Sequence, residues 1–279
     1  MTTSIRSVLV LSAALLLAVL AGCPKPQSQT ETAVPTPSAV PTPSVTLSVF
    51  AGAAPKPALD VLAANYQKAH PVKIEITYGG SGSVLTQFSQ EHYGDVYVPG
   101  SDDFMDKAVA KGAVAKDTRA ILAYLVPVLS VPKGNPKNVK GLDDMARKDL
   151  RVVIGKPESV CLGAIAQEVL TKQGLWTKVQ PHIANYASSC EDVLNNLLLG
   201  EADVVLGWDS FAKQHPDKVQ TVALPKGLTK TRNIPAAVIT WSKQAEAAKA
   251  FVQYLAAPEN RPVWSDNGYT PPTSGKASP

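Results

Sequence analysis

The alternation of strand-like and helix-like segments is the feature of this sequence that most limits its possible folds. Short runs rich in β-branched residues alternate with segments that have helical apolar spacing. This β-α-β-α-β order predicts a parallel, doubly wound α/β sheet. The predicted strands lie at 45–50, 72–78 and 95–98, and the predicted helices at 57–70, 84–91 and 102–111.

The same alternation continues after residue 123 and predicts a second α/β unit. Predicted strands lie at 124–131, 151–154, 182–186, 202–208, 219–224 and 236–241, and predicted helices at 142–145, 164–173, 192–199 and 244–256. Without its N-terminal segments the body has roughly 230 residues, which is enough for one large domain or two lobes.

Small and hydroxyl-bearing residues fill the loops that follow the first three strands. These loops, at 51–55, 79–83 and 99–102, each lead into a helix. In doubly wound sheets ligands bind outside the carboxyl ends of the strands. A helix N-terminus there offers unpaired N–H groups and positive partial charge. A single Gly-Gly-Ser-Gly segment favours a simple turn, but three such loops together predict an oxyanion site that needs no cationic side chain.

The N-terminus has the features of an export signal. Arg6 precedes an apolar run at 8–20, which is shorter than the roughly 20 residues that a membrane span requires. Residues 1–22 are therefore predicted to be a signal peptide. The Leu-Ala-Gly order before Cys23 resembles the lipobox of bacterial lipoproteins, which implies a diacylated Cys23 and a stable membrane anchor. The alternative is an ordinary secretory signal with an incidental cysteine.

The segment at 23–45 is rich in Pro, Thr, Ser and Gln and has few apolar residues. Such a composition cannot bury enough surface to fold, and its prolines favour an extended spacer. It is predicted to be a disordered tether, and 273–279 a disordered tail.

Charge and motif content narrow the function classes. The net charge of +4 falls to +3 once Arg6 leaves with the signal, and this weak balance argues against nucleic acid. The sequence shows no nucleophile–base arrangement, no zinc spacing and no phosphate-loop lysine. We therefore expect no enzyme activity, no cofactor and no resident metal.

Motifs along most of the body support a more specific interpretation. They lie at 49–54, 79–83, 94–98, 102–107, 155–160, 201–203, 247–251 and 268–272. They resemble the periplasmic solute-binding proteins of ABC importers, in particular the molybdate/tungstate-binding branch. That resemblance implies a type II periplasmic-binding fold of two doubly wound lobes joined by hinge strands. Lobe one is then 45–123 plus 233–272, and lobe two is 124–232.

The same resemblance implies a function and partners. The protein is expected to be a monomeric, extracytoplasmic lipoprotein. It is expected to hold a small inorganic anion in the interlobe cleft and to deliver it to an ABC transporter permease. The family's second serine ligand falls on Ser81, and its backbone amides fall near Gly100 and on Val160. With their neighbours these give the predicted ligand-binding set: Ala53, Ala54, Gly80, Ser81, Gly82, Ser83, Gly100, Ser101, Ser159, Val160, Cys161, Trp208 and Asp209.

Two hydroxyl donors of the family are absent from this chain. Ala54 stands where a serine is usual, and Trp208 where a tyrosine is usual. A buried acceptor left unfilled costs roughly 1–3 kcal/mol. The indole N–H of Trp208, or the hydroxyls of Ser83 or Ser101, could replace the missing donors.

Two cysteines form the larger departure from the family. Cys161 stands where the family usually has Pro or Ala, and Cys190 begins the next helix of the same lobe. An exported location favours a disulfide between them, which would stabilise the fold by about 3 kcal/mol. The alternative is a thiolate pair for a soft metal or metalloid. The alternative function is therefore binding of such a ligand, or of another anion, through Cys161, Cys190, Trp208 and Asp209.

Overall fold

A computed structural model describes residues 45–273 of the chain. The predicted signal peptide, the lipidation site Cys23, the tether up to residue 44 and the tail from residue 274 lie outside the described residues. Within 45–273, no helix is both long enough and apolar enough to cross a membrane.

Strands and helices alternate along the described chain, as the sequence predicts. The strands are β1 (Val45–Gly52), β2 (Val72–Gly79), β3 (Val96–Val98), β4 (Ala120–Leu125), β5 (Pro127–Pro132), β6 (Val152–Gly155), β7 (Ile183–Ala187), β8 (Val204–Trp208), β9 (Val219–Val222) and β10 (Arg232–Val238). The α-helices are α1 (Lys56–Ala69), α2 (Ser81–Glu91), α3 (Asp102–Ala110), α4 (Cys161–Lys172), α5 (Trp176–Val179), α6 (Cys190–Leu198), α7 (Asp209–Gln214), α8 (Ala245–Ala256) and α9 (Arg261–Asp266).

These strands form two five-stranded sheets, with the orders β2-β1-β3-β10-β4 and β7-β6-β8-β5-β9. We call the first sheet with α1, α2, α3, α8 and α9 lobe one, and the second sheet with α4 to α7 lobe two. In each sheet three strands pair in parallel, β2-β1-β3 in the first and β7-β6-β8 in the second. β10 pairs antiparallel with β3 and β4, and β5 pairs antiparallel with β8 and β9. The predicted two-lobed α/β fold class is confirmed.

The chain passes from lobe one to lobe two at Val126, inside the predicted strand 124–131. This segment is two strands, β4 and β5, and Val126 between them belongs to neither. Asp209 holds this crossover, because its Oδ1 accepts the N–H of Val126 at 3.0 Å and its own N–H donates to the Val126 carbonyl at 2.9 Å. These hydrogen bonds engage the backbone groups that would otherwise continue the strand.

Three helices begin two or three residues earlier than their apolar spacing predicts. α2 starts at Ser81 rather than 84, α4 at Cys161 rather than 164, and α6 at Cys190 rather than 192. The remaining helical faces bury apolar side chains against the sheets, as Leu59 and Leu62 of α1 do. Each such burial stabilises the fold by roughly 1.5–3 kcal/mol. The interior turns of the helices therefore provide the packing against the sheets, and the first residues of α2, α4 and α6 are available to form the site.

Candidate functional site

Three helix N-termini meet between the two lobes and define the candidate site. Ser81, Cys161 and Cys190 are the first residues of α2, α4 and α6, and their exposed fractions are 2%, 1% and 3%. Gly100 lies beside them, since a Cβ built on it would lie 3.0 Å from Cys161 Sγ and 2.7 Å from the Cβ of Ala54. The helix starts bring N–H groups and positive partial charge to one buried region.

Ser81 connects the loops on the lobe-one side of the site. Its Oγ accepts the N–H of Gly100 at 3.0 Å, and its carbonyl accepts the hydroxyl of Tyr97 at 2.9 Å. Burial raises the pKa of Tyr97 well above its usual range, so its hydroxyl stays protonated as a donor. Ser81 also interacts with the sulfur of Cys161 in lobe two, so one hydroxyl touches both walls of the cleft.

The sulfurs of Cys161 and Cys190 lie 3.1 Å apart, and both cysteines are free. A disulfide has a sulfur–sulfur distance of about 2.05 Å, so the predicted disulfide is not formed in this structure. The prediction that the two cysteines are neighbours is consistent with this contact, since the loops before α4 and α6 follow adjacent parallel strands.

The pKa values of the two thiols are shifted in opposite directions. The hydrogen bond to Cys190, together with burial, raises the pKa of Cys161 well above its usual value. Burial alone would also raise the pKa of Cys190. The hydrogen bond from Cys161, the backbone N–H of Leu162 and the indole of Trp208 outweigh burial and lower that pKa. Of the two thiols, Cys190 is therefore the one that loses its proton more readily.

Trp208 ends β8 and is fully buried, yet its indole N–H has no hydrogen-bond partner in the described part of the chain. The indole N–H lies near the Cys190 sulfur and helps to lower the pKa of that thiol, but it does not form a hydrogen bond with the sulfur. Buried donors are normally satisfied, and a lone one costs about 1–3 kcal/mol. An unsatisfied donor at this place is a feature expected of a site that receives an acceptor from a ligand.

The lobes touch directly across the cleft. The N–H of Gly82 donates to the carbonyl of Ser159 at 2.8 Å. A Cβ on Gly80 would lie 2.8 Å from the carbonyl oxygens of both Ser159 and Ser188. Lobe-one glycines thus allow the close approach of two lobe-two loops, and Ser159 contributes its carbonyl rather than its hydroxyl.

An ion pair adds a further link between the lobes. Arg232 of β10 donates to Asp103 of lobe one at 3.0 Å and to Glu168 of α4 at 2.7 Å. The sequence does not indicate this link, because its partners are far apart in the chain and carry no motif.

Other predicted site residues have partners of their own. The N–H of Val160 donates to the carbonyl of Lys156 at 2.8 Å, and the neighbouring Leu162 N–H faces the sulfurs instead. Ser101 is the N-cap residue just before α3, and its hydroxyl donates to Asp103 at 3.1 Å. Ser83 is exposed. Asp209 is engaged at the Val126 crossover.

A cavity of about 290 Å³ adjoins the site and is lined by both lobes. Ala53 and Ala54 form part of its lobe-one wall, and Cys190 and Leu194 part of its lobe-two wall. The hydroxyl of Tyr269 donates to the carbonyl of Ala54 at 2.7 Å and so holds the loop after β1 in place. The cavity gives a small solute access to the Cys190 side of the site.

The donors gathered here are backbone amides, one serine hydroxyl, two thiols and one indole. Within residues 45–273, no group of three or more His, Cys, Asp or Glu residues is placed to hold a metal ion. The arrangement is chemically suited to a compact ligand that accepts several hydrogen bonds.

A buried site between two α/β lobes is the architecture of solute-binding proteins. The family model described as bacterial extracellular solute-binding protein matches residues 47–270, and this chain belongs to that family. The resemblance to solute-binding proteins of ABC importers is therefore confirmed.

Individual relatives agree with this assignment. The Bacillus subtilis protein YvgL, described as an ABC transporter substrate-binding lipoprotein, is 31% identical over 256 residues, covering 90% of this chain and 93% of the relative. The molybdate-binding protein ModA of Mycobacterium tuberculosis H37Rv is 27% identical over 263 residues, covering 94% of this chain and 97% of the relative.

A more distant match is an enzyme. The aconitate isomerase of a Pseudomonas species is 26% identical, covering 85% of this chain and 92% of the relative.

Among solved structures, the substrate-binding domain of a molybdenum ABC transporter from Clostridium difficile is similar to this chain. It aligns with a TM-score of 0.59 at 27% identity, covering 82% of this chain and 99% of that one.

Proposed function

We propose that this protein captures a tetrahedral oxyanion of the molybdate or tungstate type in its interlobe cleft and delivers it to an ABC importer. The observation that carries the proposal is the convergence of the α2, α4 and α6 N-termini, from both lobes, on one buried region beside the unpaired indole of Trp208. Helix N-termini bind anions without cationic side chains.

The donors fit an anion with several oxygens. The N–H groups of Gly100 and Leu162 and the indole N–H of Trp208 come from three separate segments. Charge-assisted hydrogen bonds to an oxyanion are stronger than those to a hydroxyl or a thiol sulfur. The molybdate-binding relatives support the same ligand class, and the relatives named as binding proteins support capture and release rather than catalysis.

A thermal-shift panel on the full chain tests the proposal. Molybdate and tungstate are compared with sulfate, phosphate and citrate. A ligand at 100 times its Kd stabilises the folded state by about 2.7 kcal/mol, which raises the Tm by roughly 5–10 °C for a body of this size. No shift with any inorganic oxyanion at millimolar concentration would overturn the proposal. A shift with citrate alone would favour an organic acid.

Ser81→Ala locates the binding in this cleft. The substitution leaves the buried N–H of Gly100 without its acceptor and removes a hydroxyl donor, so the Kd should rise by roughly 10-fold. Ser265→Ala is the matched control, because that hydroxyl is exposed and only donates to the carbonyl of Pro262. Equal affinities of the two variants would place the ligand elsewhere.

We further propose that Cys23 carries the lipid anchor and that the 23–45 segment holds the body near its membrane permease. The lipobox resemblance and the lipoprotein relative support this. Metabolic labelling with a fatty-acid analogue should label the wild-type chain and not Cys23→Ser. Labelling of the serine variant would contradict the assignment.

A further inference from the structure

The two cysteines at the centre of the site could also bind a ligand covalently, in addition to any ligand held by hydrogen bonds. We propose that the cleft also captures trivalent metalloid hydroxides, the arsenite and antimonite class, through covalent bonds to Cys161 and Cys190. This inference rests on the proposed function in one respect, because it places the ligand in the same cleft. It adds a second mode of capture there.

The distance between the sulfurs discriminates among thiophilic centres. With metal–sulfur bonds of about 2.3 Å, a linear centre holds two sulfurs about 4.6 Å apart and a tetrahedral centre about 3.8 Å apart. A pyramidal centre with bonds of similar length at nearly right angles holds them about 3.3 Å apart. The observed 3.1 Å is nearest to the pyramidal arrangement, which is the geometry of trivalent arsenic and antimony.

The number of available ligands leads to the same class. A structural metal ion normally needs four protein ligands, and even a catalytic zinc needs three. Within residues 45–273, no cluster of three or more His, Cys, Asp or Glu residues offers them. A trivalent metalloid that keeps one of its own hydroxyls needs only two thiols from the protein.

The retained hydroxyl has a partner in the site. The buried indole N–H of Trp208 lacks an acceptor and lies near the Cys190 sulfur. A hydroxyl on a centre bonded to both sulfurs can accept that N–H. The adjoining cavity of about 290 Å³, with Cys190 on its wall, lets a small neutral hydroxide reach the thiols.

The capture step balances without any redox partner. Two metalloid–oxygen bonds break and two metalloid–sulfur bonds form. Each thiol proton leaves with a released hydroxyl as water, so two waters are produced. The oxidation state of the metalloid does not change, and the third hydroxyl stays on it.

Thiol protection on the full chain tests the inference. The protein is reduced, freed of reductant and mixed with sodium arsenite, and its reactive thiols are then counted. A Cys23→Ser background removes the third cysteine of the chain and is itself the control, expected to capture arsenite as the wild type does. One molar equivalent of arsenite should protect both cleft thiols, and a dithiol competitor should release them where a monothiol does not.

Single variants measure the contribution of the pair. Cys161→Ser and Cys190→Ser should each weaken arsenite binding by roughly 100-fold or more, because the second bond forms intramolecularly. Unchanged affinity in either variant overturns the inference, as does protection by Cd²⁺ but not by arsenite. Circular dichroism checks that each variant is folded. Reversal by dithiol in the Cys23→Ser chain remains decisive if a cleft variant misfolds.

Molybdate measured on the same preparation separates the two proposals. A molybdate shift without arsenite capture overturns only the covalent mode. Arsenite capture without any oxyanion shift overturns the oxyanion assignment and retains the cleft. Loss of both excludes ligand capture at this site.

Discussion

The backbone N–H of Gly82 in lobe one donates to the carbonyl of Ser159 in lobe two at 2.8 Å. This hydrogen bond forms only because the first turn of α2 presents glycines to the opposite loops. A Cβ on Gly82 would lie 2.9 Å from the Cα of Ser159. Contact between the lobes therefore requires glycine, which has no side chain, in the Gly-Gly-Ser-Gly segment. It also requires the backbone N–H groups of that segment.

Gly80→Ala should prevent full closure of the cleft. Its backbone lies at φ −64° and ψ 138°, which alanine adopts freely. Its new Cβ would meet two lobe-two carbonyl oxygens at 2.8 Å. We expect oxyanion affinity to fall roughly 5–100-fold, since overpacking typically costs about 1–3 kcal/mol. Isothermal titration calorimetry gives the Kd.

Gly141→Ala is the control for that substitution. Its backbone is extended, and no atom lies within 4 Å of the position of a Cβ. An equal loss of affinity in both variants would mean that the Gly80 contacts do not govern closure.

Local patterns predict much of this fold because they depend only on neighbouring residues. The period of apolar residues locates the strands and the interiors of the helices. It misses the first turns of α2, α4 and α6, where Ser81, Cys161 and Cys190 face the cleft. The early starts of these helices follow from tertiary contacts, and they place the site residues at the helix N-termini.

The site itself could be predicted only in part. The Gly-Gly-Ser-Gly segment indicates Ser81, and the order of the β-α units indicates that Cys161 and Cys190 are neighbours. Neither pattern indicates that the Val160 N–H is engaged within its own turn or that Asp209 binds the backbone of the Val126 crossover. The hydrogen-bond partners of Val160 and Asp209 depend on tertiary structure, and the spacing of residues in the sequence does not indicate them.

Trp208→Phe separates the stability of the fold from its affinity for ligand. The substitution removes a buried N–H that has no partner, so the ligand-free protein should keep or slightly raise its Tm. Oxyanion affinity should fall by roughly 5–30-fold, since the donor is lost from the complex. Differential scanning calorimetry with and without molybdate measures both effects. A variant that loses Tm without ligand and keeps full affinity would show that the indole serves packing alone.

Asp203→Asn should destabilise the protein at neutral pH and much less in acid. The hydrogen bonds from Arg151 lower the pKa of Asp203. A lowered folded-state pKa means that this contribution is complete above the unfolded value of about 4 and is lost as pH falls through the folded value. We expect a loss of about 1–3 kcal/mol at pH 7.

Urea denaturation at pH 7 and near pH 3 checks the Asp203 prediction. Asp149→Asn is the control, because Asp149 also pairs with an arginine, Arg147, but lies in solvent. Its effect on the urea midpoint should be small at both pH values. A difference between wild type and Asp203→Asn that grew in acid would contradict the assigned direction of the pKa.

Glu168→Gln should weaken ligand binding without touching the ligand. Arg232 forms two ion pairs. The pair with Glu168 is the interlobe arm, and the pair with Asp103 lies within lobe one. The glutamine keeps the size of the side chain but removes the charge that favours the closed arrangement. Because the carboxylate is partly exposed, we expect a modest rise in Kd, roughly 2–5-fold at low salt.

Salt dependence makes the Glu168 prediction specific. Salt screens partly exposed pairs, so raising the salt concentration should narrow the difference in Kd between the wild type and Glu168→Gln. Asp106→Asn, which breaks the Arg119–Asp106 pair within lobe one, is the control and should leave the Kd unchanged. Small-angle X-ray scattering of the ligand-free proteins should show a larger radius of gyration for Glu168→Gln than for Asp106→Asn. Equal radii and equal affinities would mean that the interlobe arm does not bias closure, and that other interlobe hydrogen bonds, such as Gly82–Ser159 and Lys213–Gly268, hold the lobes together.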